Sequence, residues 1–273
     1  MKKRIFLIIA GVLVALCAGL PGFTALLMDK QAQSAPVFND ILPAEQASDR
    51  DTLSTLDRLW LYGNGKSVDI KPANATKTED EIKKCVETFL DPCRAAGIYQ
   101  GVTFLSPTLT TKLIYNVDDP SQTMIVWEYY ATDFQTTADR QLFGETWAIN
   151  VIVDDETGKV ISVQVDHYVV DEETGKVVSV LFDHYNVSYS INELWERNKK
   201  RIEPLVDLYF AQLGLQEAAK AAKASPENYE YLERDTGVTE THYTFADSTR
   251  GVEISFAVSG ADTFRITVKK LKA

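Results

Sequence analysis

The sequence predicts an α+β fold of two modules, each an amphipathic helix followed by an antiparallel meander, behind an apolar N-terminal segment. Three observations carry this reading. Two stretches with helical periodicity each open on a capping-box pair. Each is followed by a run of strands joined by short links, which favours antiparallel pairing because parallel strands need long crossovers. And one strand–turn unit is written twice. Val153 to Tyr168 reads VDDETGKVISVQVDHY and Val170 to Tyr185 reads VDEETGKVVSVLFDHY, identical at twelve of sixteen positions.

Taken in order, residues 1–30 predict a signal anchor. Lys2, Lys3 and Arg4 precede a nearly uncharged stretch from Ile5 to Met28, long enough to cross a hydrocarbon core of ~30 Å as a helix. The positive cluster places the N-terminus in the cytoplasm and the remainder outside. A cleaved secretory signal is the competing reading. Its small-residue pattern, Ala32-Gln33-Ser34, falls well beyond the break at Pro21-Gly22, so a retained single-pass membrane anchor is favoured. Either reading exports the domain.

Residues 31–77 read as a tether rich in Pro, Gly, Ser, Asp and Asn, with Leu53, Leu56, Leu59 and Trp60 at helical spacing for one short docked helix. The first module, 78–189, opens at the Thr78–Glu81 capping box. Ile82, Cys85, Val86 and Phe89 form its apolar stripe, and Pro92 is expected to end the helix near Leu90. Strands are expected at 99–105, 111–117, 123–131, 146–153, 160–170 and 177–189. The second module, 190–273, opens at Ser190 and Glu193. Its stripe runs through Ile202, Leu205, Val206 and Tyr209, with Pro204 a bend or restart, and helix continues to Ala224. Strands at 229–233, 238–245, 252–259 and 263–271 follow.

The net charge of -11 argues against nucleic acid, which demands clustered Lys and Arg. Cys85 and Cys93 lie in an exported segment, so a disulfide and two free thiols both stay open. One straight helix holds them ~12 Å apart, and only a chain reversal at Pro92 would bring them together. His167 and His184 are the tempting metal pair, but the register expected for a turn at 172–175 offsets them by about four residues, or ~13 Å. The acidic residues before Gly158 and Gly175 read as hairpin tips rather than a calcium loop. No nucleophile elbow, zinc-protease helix, P-loop or dinucleotide fingerprint occurs, so no catalytic, cofactor-binding or metal residues are assigned. Trp127, Tyr129 and Tyr130 are candidate groove aromatics, although alternating aromatics in a sheet are more often core.

Glu145 to Val160, ETWAINVIVDDETGKV, resembles the strand–turn–strand signature of PepSY-type domains: a Trp-containing strand, an Asp, a Thr-Gly turn and an apolar strand. The order of anchor, amphipathic helix and motif is similar to membrane-tethered PepSY-like and cystatin-like proteins of Gram-positive bacteria. That resemblance implies a regulatory or protein-contact role near peptidases or the cell wall and carries over no catalytic residue. The expected function is therefore a membrane-anchored, extracytoplasmic, non-catalytic protein that binds or regulates a cell-envelope protein. Two other readings remain: an exported hydrolase whose carboxylates assemble only in the fold, and a glycan- or peptide-binding module with an aromatic groove.

Overall fold

A computed structural model describes residues 53–98, 105–132, 145–170, 177–180, 191–224, 226–233, 236–259 and 263–271. These belong to one compact unit that begins at Leu53. The apolar segment 5–28, His184, the capping residue Ser190 and most of the strand expected at 99–105 lie outside the described residues. No helix among the described residues is long and apolar enough to cross a membrane.

The elements are α1 (Thr55–Asn64), β1 (Lys66–Ile70), a short 3-10 turn (Pro72–Asn74), α2 (Glu79–Ala95), β2 (Leu105–Tyr115), β3 (Thr123–Thr132), β4 (Glu145–Asp154), β5 (Val160–Val170), β6 (Val177–Val180), α3 (Ile191–Leu213), α4 (Gln216–Ala222), β7 (Glu227–Glu233), β8 (Thr236–Asp247), β9 (Val252–Ser259) and β10 (Thr263–Lys270). Both meanders join one antiparallel sheet in the order β1-β2-β3-β4-β5-β10-β9-β8-β7. The seam is the pairing of β5 with β10, Val163 opposite Ile266 and Val165 opposite Phe264. β5 of the first meander and the last strand of the second therefore meet at the centre.

The eleven residues of β5 give it room for three partners. One edge pairs with β4 along nearly its whole length, while the other pairs with β10 near its start and with β6 at its end. Here the second copy of the repeat turns back along the first: Tyr168 lies opposite Val180 and Val169 opposite Ser179. The described strand of the extra copy occupies the part of β5 that β10 leaves unpaired.

Alternation gives the sheet two unlike faces. Leu109, Tyr129, Val151, Val163, Ile266, Phe256 and Tyr243 form one continuous row across six neighbouring strands and the strand beside them. Most are buried, beneath α2, α3 and α4. Tyr209 of α3 reaches through this layer to donate a 2.7 Å hydrogen bond to the Ile161 carbonyl. The opposite face carries α1, with Ile114, Met124 and Val126 buried beside it.

Several expectations are corrected. The docked helix expected around Leu53–Trp60 forms as α1 in the folded unit, but the rest of the tether is not irregular to residue 77: β1 pairs with β2 from Lys66 opposite Tyr115 to Ile70 opposite Thr111. β1 is a largely exposed edge strand, so its sequence, KSVDI, lacks the apolar run that marks a buried one. The helix does not end near Leu90. Pro92 lies in its last turns, and termination comes at Gly97 (φ 68°), where Gly97 N–H donates to Arg94 O and Ile98 N–H to Cys93 O. α3 likewise runs through Pro204. Gly214 (φ 73°) ends it before α4 begins, so helix is not continuous to Ala224. The Thr78–Glu81 capping box forms as expected.

The β4–β5 turn holds the layers together. Gly158 (φ 70°) closes it with its N–H on Asp154 O. The Asp154 side chain points toward α1, accepting from Arg58 at 3.2 Å and from Thr157 Oγ1 at 2.8 Å. Asp155 turns the other way. It accepts from the Thr76 and Lys77 amides (2.7 and 2.9 Å), the Thr76 hydroxyl (2.7 Å) and the Trp127 indole (2.8 Å). Burial alone raises the Asp155 pKa, but these donors outweigh it and hold the carboxyl below the usual range.

Asp155→Ala leaves those donors without their acceptor, and we expect a loss of about 3–5 kcal/mol by urea unfolding. The contribution is complete above about pH 5 and is lost as pH falls through the depressed folded value. Asp155→Asn, with no proton to bind there, should show a flatter loss of stability in acid. A wild-type-like acid profile in Asp155→Asn would contradict the assignment.

Candidate functional site

On the helical face, a groove of about 690 Å³ lies between α2 and α3 beside the β4–β5 turn. That size lies within the range of ~300–1,000 Å³ common for ligand sites. The groove-facing side of α2 follows from helical spacing, with Glu81, Lys84, Cys85, Thr88, Phe89 and Pro92 all on the wall. Leu208, Ala211 and Gln212 of α3 form the other wall, and Thr157, Gly158 and Lys159 close one end.

Each part of this rim is held in place. Gln212 pairs with the backbone of Val160, accepting its N–H at 3.1 Å and donating to its carbonyl at 2.8 Å. Lys77 Nζ donates to the Glu156 carbonyl at 3.1 Å, and Lys159 Nζ donates to the Leu213 carbonyl at 3.4 Å, where the end of α3 favours a cation. A side chain at position 158 would also meet Cys85 Sγ at 2.9 Å and Lys77 Cε at 3.2 Å. Glycine is needed there for its backbone conformation and for space.

Electrostatically the groove departs from the rest of the chain. It collects Lys77, Lys84 and Lys159 against Glu81 in a protein of net charge -11. Glu81 is also engaged by Thr78 through its capping bonds. Phe89, Pro92, Leu208 and Ala211 supply apolar surface between the cations. Such a surface suits an anionic ligand with apolar side groups.

The sequence candidates fall elsewhere or take other roles. Trp127 is 1% exposed and Tyr129 is buried on the helical face, so neither lines an open groove. Their alternation reflects core, and the Trp127 indole is committed to Asp155. Tyr130 is 48% exposed on the other face. His167 lies opposite Trp147 in the β4–β5 pairing, and His242 lies 2.8 Å from Glu240 within β8. Among the described residues no group of three or more His, Cys, Asp or Glu could hold a metal ion.

Both α2 cysteines are free thiols. Because the helix continues past Pro92, they remain eight residues apart on one rod, too far for a bridge. Burial raises the Cys85 pKa and pushes Cys93 up to about 12. Neither is primed as a thiolate nucleophile.

No protein family, curated protein or solved structure matches this chain. The lysines of the groove carried no sequence signal, because they come from the α2 approach, α2 itself and a turn about 80 residues away.

In a Cys17→Ser background, maleimide at neutral pH should label Cys85 slowly and Cys93 only after denaturation. Intact mass should be unchanged by reductant. A loss of two hydrogens restored by reductant would show that the cysteines pair.

Proposed function

We propose that this chain is a single-pass, membrane-anchored extracytoplasmic protein whose non-catalytic domain binds or regulates a cell-envelope protein through the α2–α3 groove. The observation that carries the reading is the three-lysine groove in an otherwise acidic chain. Its occupant is a partner segment bearing acidic residues beside an apolar anchor. The anionic groups face Lys77, Lys84 and Lys159, while the anchor covers Phe89 and Leu208.

Further support comes from how the buried acids are used. Asp154 and Asp155 are committed to holding α1, α2 and the sheet together rather than converging on an open cleft. The apolar segment 5–28, with its preceding basic cluster, supports the exported orientation. The resemblance of Glu145–Val160 to PepSY-type domains supports a regulatory contact role.

Tagged full-length protein recovered from its native cell under membrane-preserving conditions should bring down a reproducible envelope partner. Lys84→Glu/Lys159→Glu should weaken that association about tenfold, as two attractions become repulsions of roughly 1 kcal/mol or less each. High salt should weaken the wild-type association in the same direction. Unchanged affinity in the folded double variant, or turnover of a peptide or glycan panel by the pure protein, would overturn the proposal.

A further inference from the structure

The α2–α3 groove has a direction. α2 begins beside the β4–β5 turn, where the Thr76 and Lys77 amides donate to Asp155. α3 ends beside the same turn, with Gln212 on the Val160 backbone and the Leu213 carbonyl accepting from Lys159. Outward from that end, the α2 wall changes from Lys77, Glu81 and Lys84 to Thr88, Phe89 and Pro92. The α3 wall changes from Gln212 to Leu208. Charge is therefore gathered at the turn and apolar surface at the other end.

The cations at the turn end are held without being neutralised. Lys77 and Lys159 direct their Nζ atoms to the carbonyls of Glu156 and Leu213, at 3.1 and 3.4 Å. Lys84 forms no ion pair among the described residues, although its neighbour Lys83 meets Asp80 at 3.1 Å. Glu81, the acid among the lining residues, accepts from the Thr78 amide and hydroxyl at 2.8 and 2.9 Å. An ammonium group has three donors, so one bond to a carbonyl leaves each lysine able to meet a carboxylate.

Dimensions decide the form of the occupant. From Glu81 to Pro92 the α2 wall is ~17 Å long at 1.5 Å per residue, so a groove of about 690 Å³ has a mean cross-section of ~40 Å². An extended chain, ~4.8 Å by ~10 Å, needs ~48 Å². A helix with its side chains needs ~80–110 Å². The extended chain is the closer fit. Along the wall, Lys77 and Lys84 are ~10 Å apart, and the Phe89–Pro92 surface begins a further ~8–12 Å on. Each interval corresponds to about three residues of an extended chain at ~3.3 Å per residue.

We propose that the groove reads an extended segment in which two acidic residues and one apolar residue follow at three-residue intervals. The outer acid faces Lys77 and Lys159 at the turn, the inner acid faces Lys84, and the apolar side chain covers Phe89, Pro92 and Leu208. This inference rests on the reading of the groove as a site for an acidic partner segment, and adds the form and spacing of that segment. A segment with the three residues adjacent spans too little of the wall to satisfy both ends at once.

The test is an NMR titration of the full-length chain in nanodiscs, read at the Gly158 amide for the turn end and the Ala211 amide for the apolar end. Three end-blocked peptides carry the same two Asp and one Phe. The first spaces them three apart among Ser, in either chain direction; the second sets them adjacent among Ser; the third places them seven and five apart on an Ala-rich helix. The spaced peptide should shift both amides and bind about tenfold tighter than the other two, because only it places Phe on the apolar wall with both acids engaged. Ala211→Glu, at an exposed position, should weaken the spaced peptide about fivefold, as should Lys84→Glu. Equal affinity for the spaced and adjacent peptides, both weakened by Lys84→Glu, overturns the spacing and leaves the groove reading standing. Tighter binding of the helical peptide overturns the extended form. No binding of any peptide at millimolar concentration overturns this proposal, whereas the groove reading is decided by the response of the envelope partner to Lys84→Glu/Lys159→Glu.

Discussion

Two adjacent carboxylates in one hairpin turn reach to opposite sides of the sheet, and the layered arrangement depends on them. Asp154 holds Arg58 of α1, while Asp155 gathers the chain entering α2 and the indole of Trp127. Neighbouring residues can serve opposite faces because side-chain direction alternates as a strand passes into its turn. The pairing converts a local hairpin into the junction of three layers. It also sets the position of Lys77 and Gly158, and hence one end of the α2–α3 groove.

The duplicated unit makes better sense against that role. In the first copy, position 155 is Asp, short enough to accept two consecutive amides and an indole at once. The second copy carries Glu172 at the equivalent position. Sixteen-residue similarity thus conceals a difference at the residue doing the joining. The described strand of the second copy, β6, uses only the free end of β5, whereas the first copy supplies the central seam with β10.

The two faces differ in chemistry. The helical face combines three lysines with apolar walls in an open groove, which supports recognition of an acidic, partly apolar segment. The α1 face gathers amides, hydroxyls and one neutralised ion pair around a smaller cavity. β4 and β5 separate the two, with Val151 and Val163 facing the helices and Asn150 and Gln164 lining the smaller cavity. A single pair of strands therefore gives rigidity to both surfaces.

Local chemistry was readable directly. The capping box at Thr78, the strands at 160–170 and 252–259 and the turn at Gly158 follow from short-range hydrogen bonding, alternation and backbone freedom. Edge strand β1 escaped because it has few apolar residues, and alternation favoured core for Trp127 without saying which face is covered. The α+β class, the helix–meander order and the hairpin turns could be read from the residues alone, since neighbours in the chain specify these. That the meanders share a sheet, that Asp154 and Asp155 part company, and that Lys77, Lys84 and Lys159 meet emerged with the folded chain. Those outcomes rest on pairings and packing between distant residues, whose geometry no local periodicity encodes.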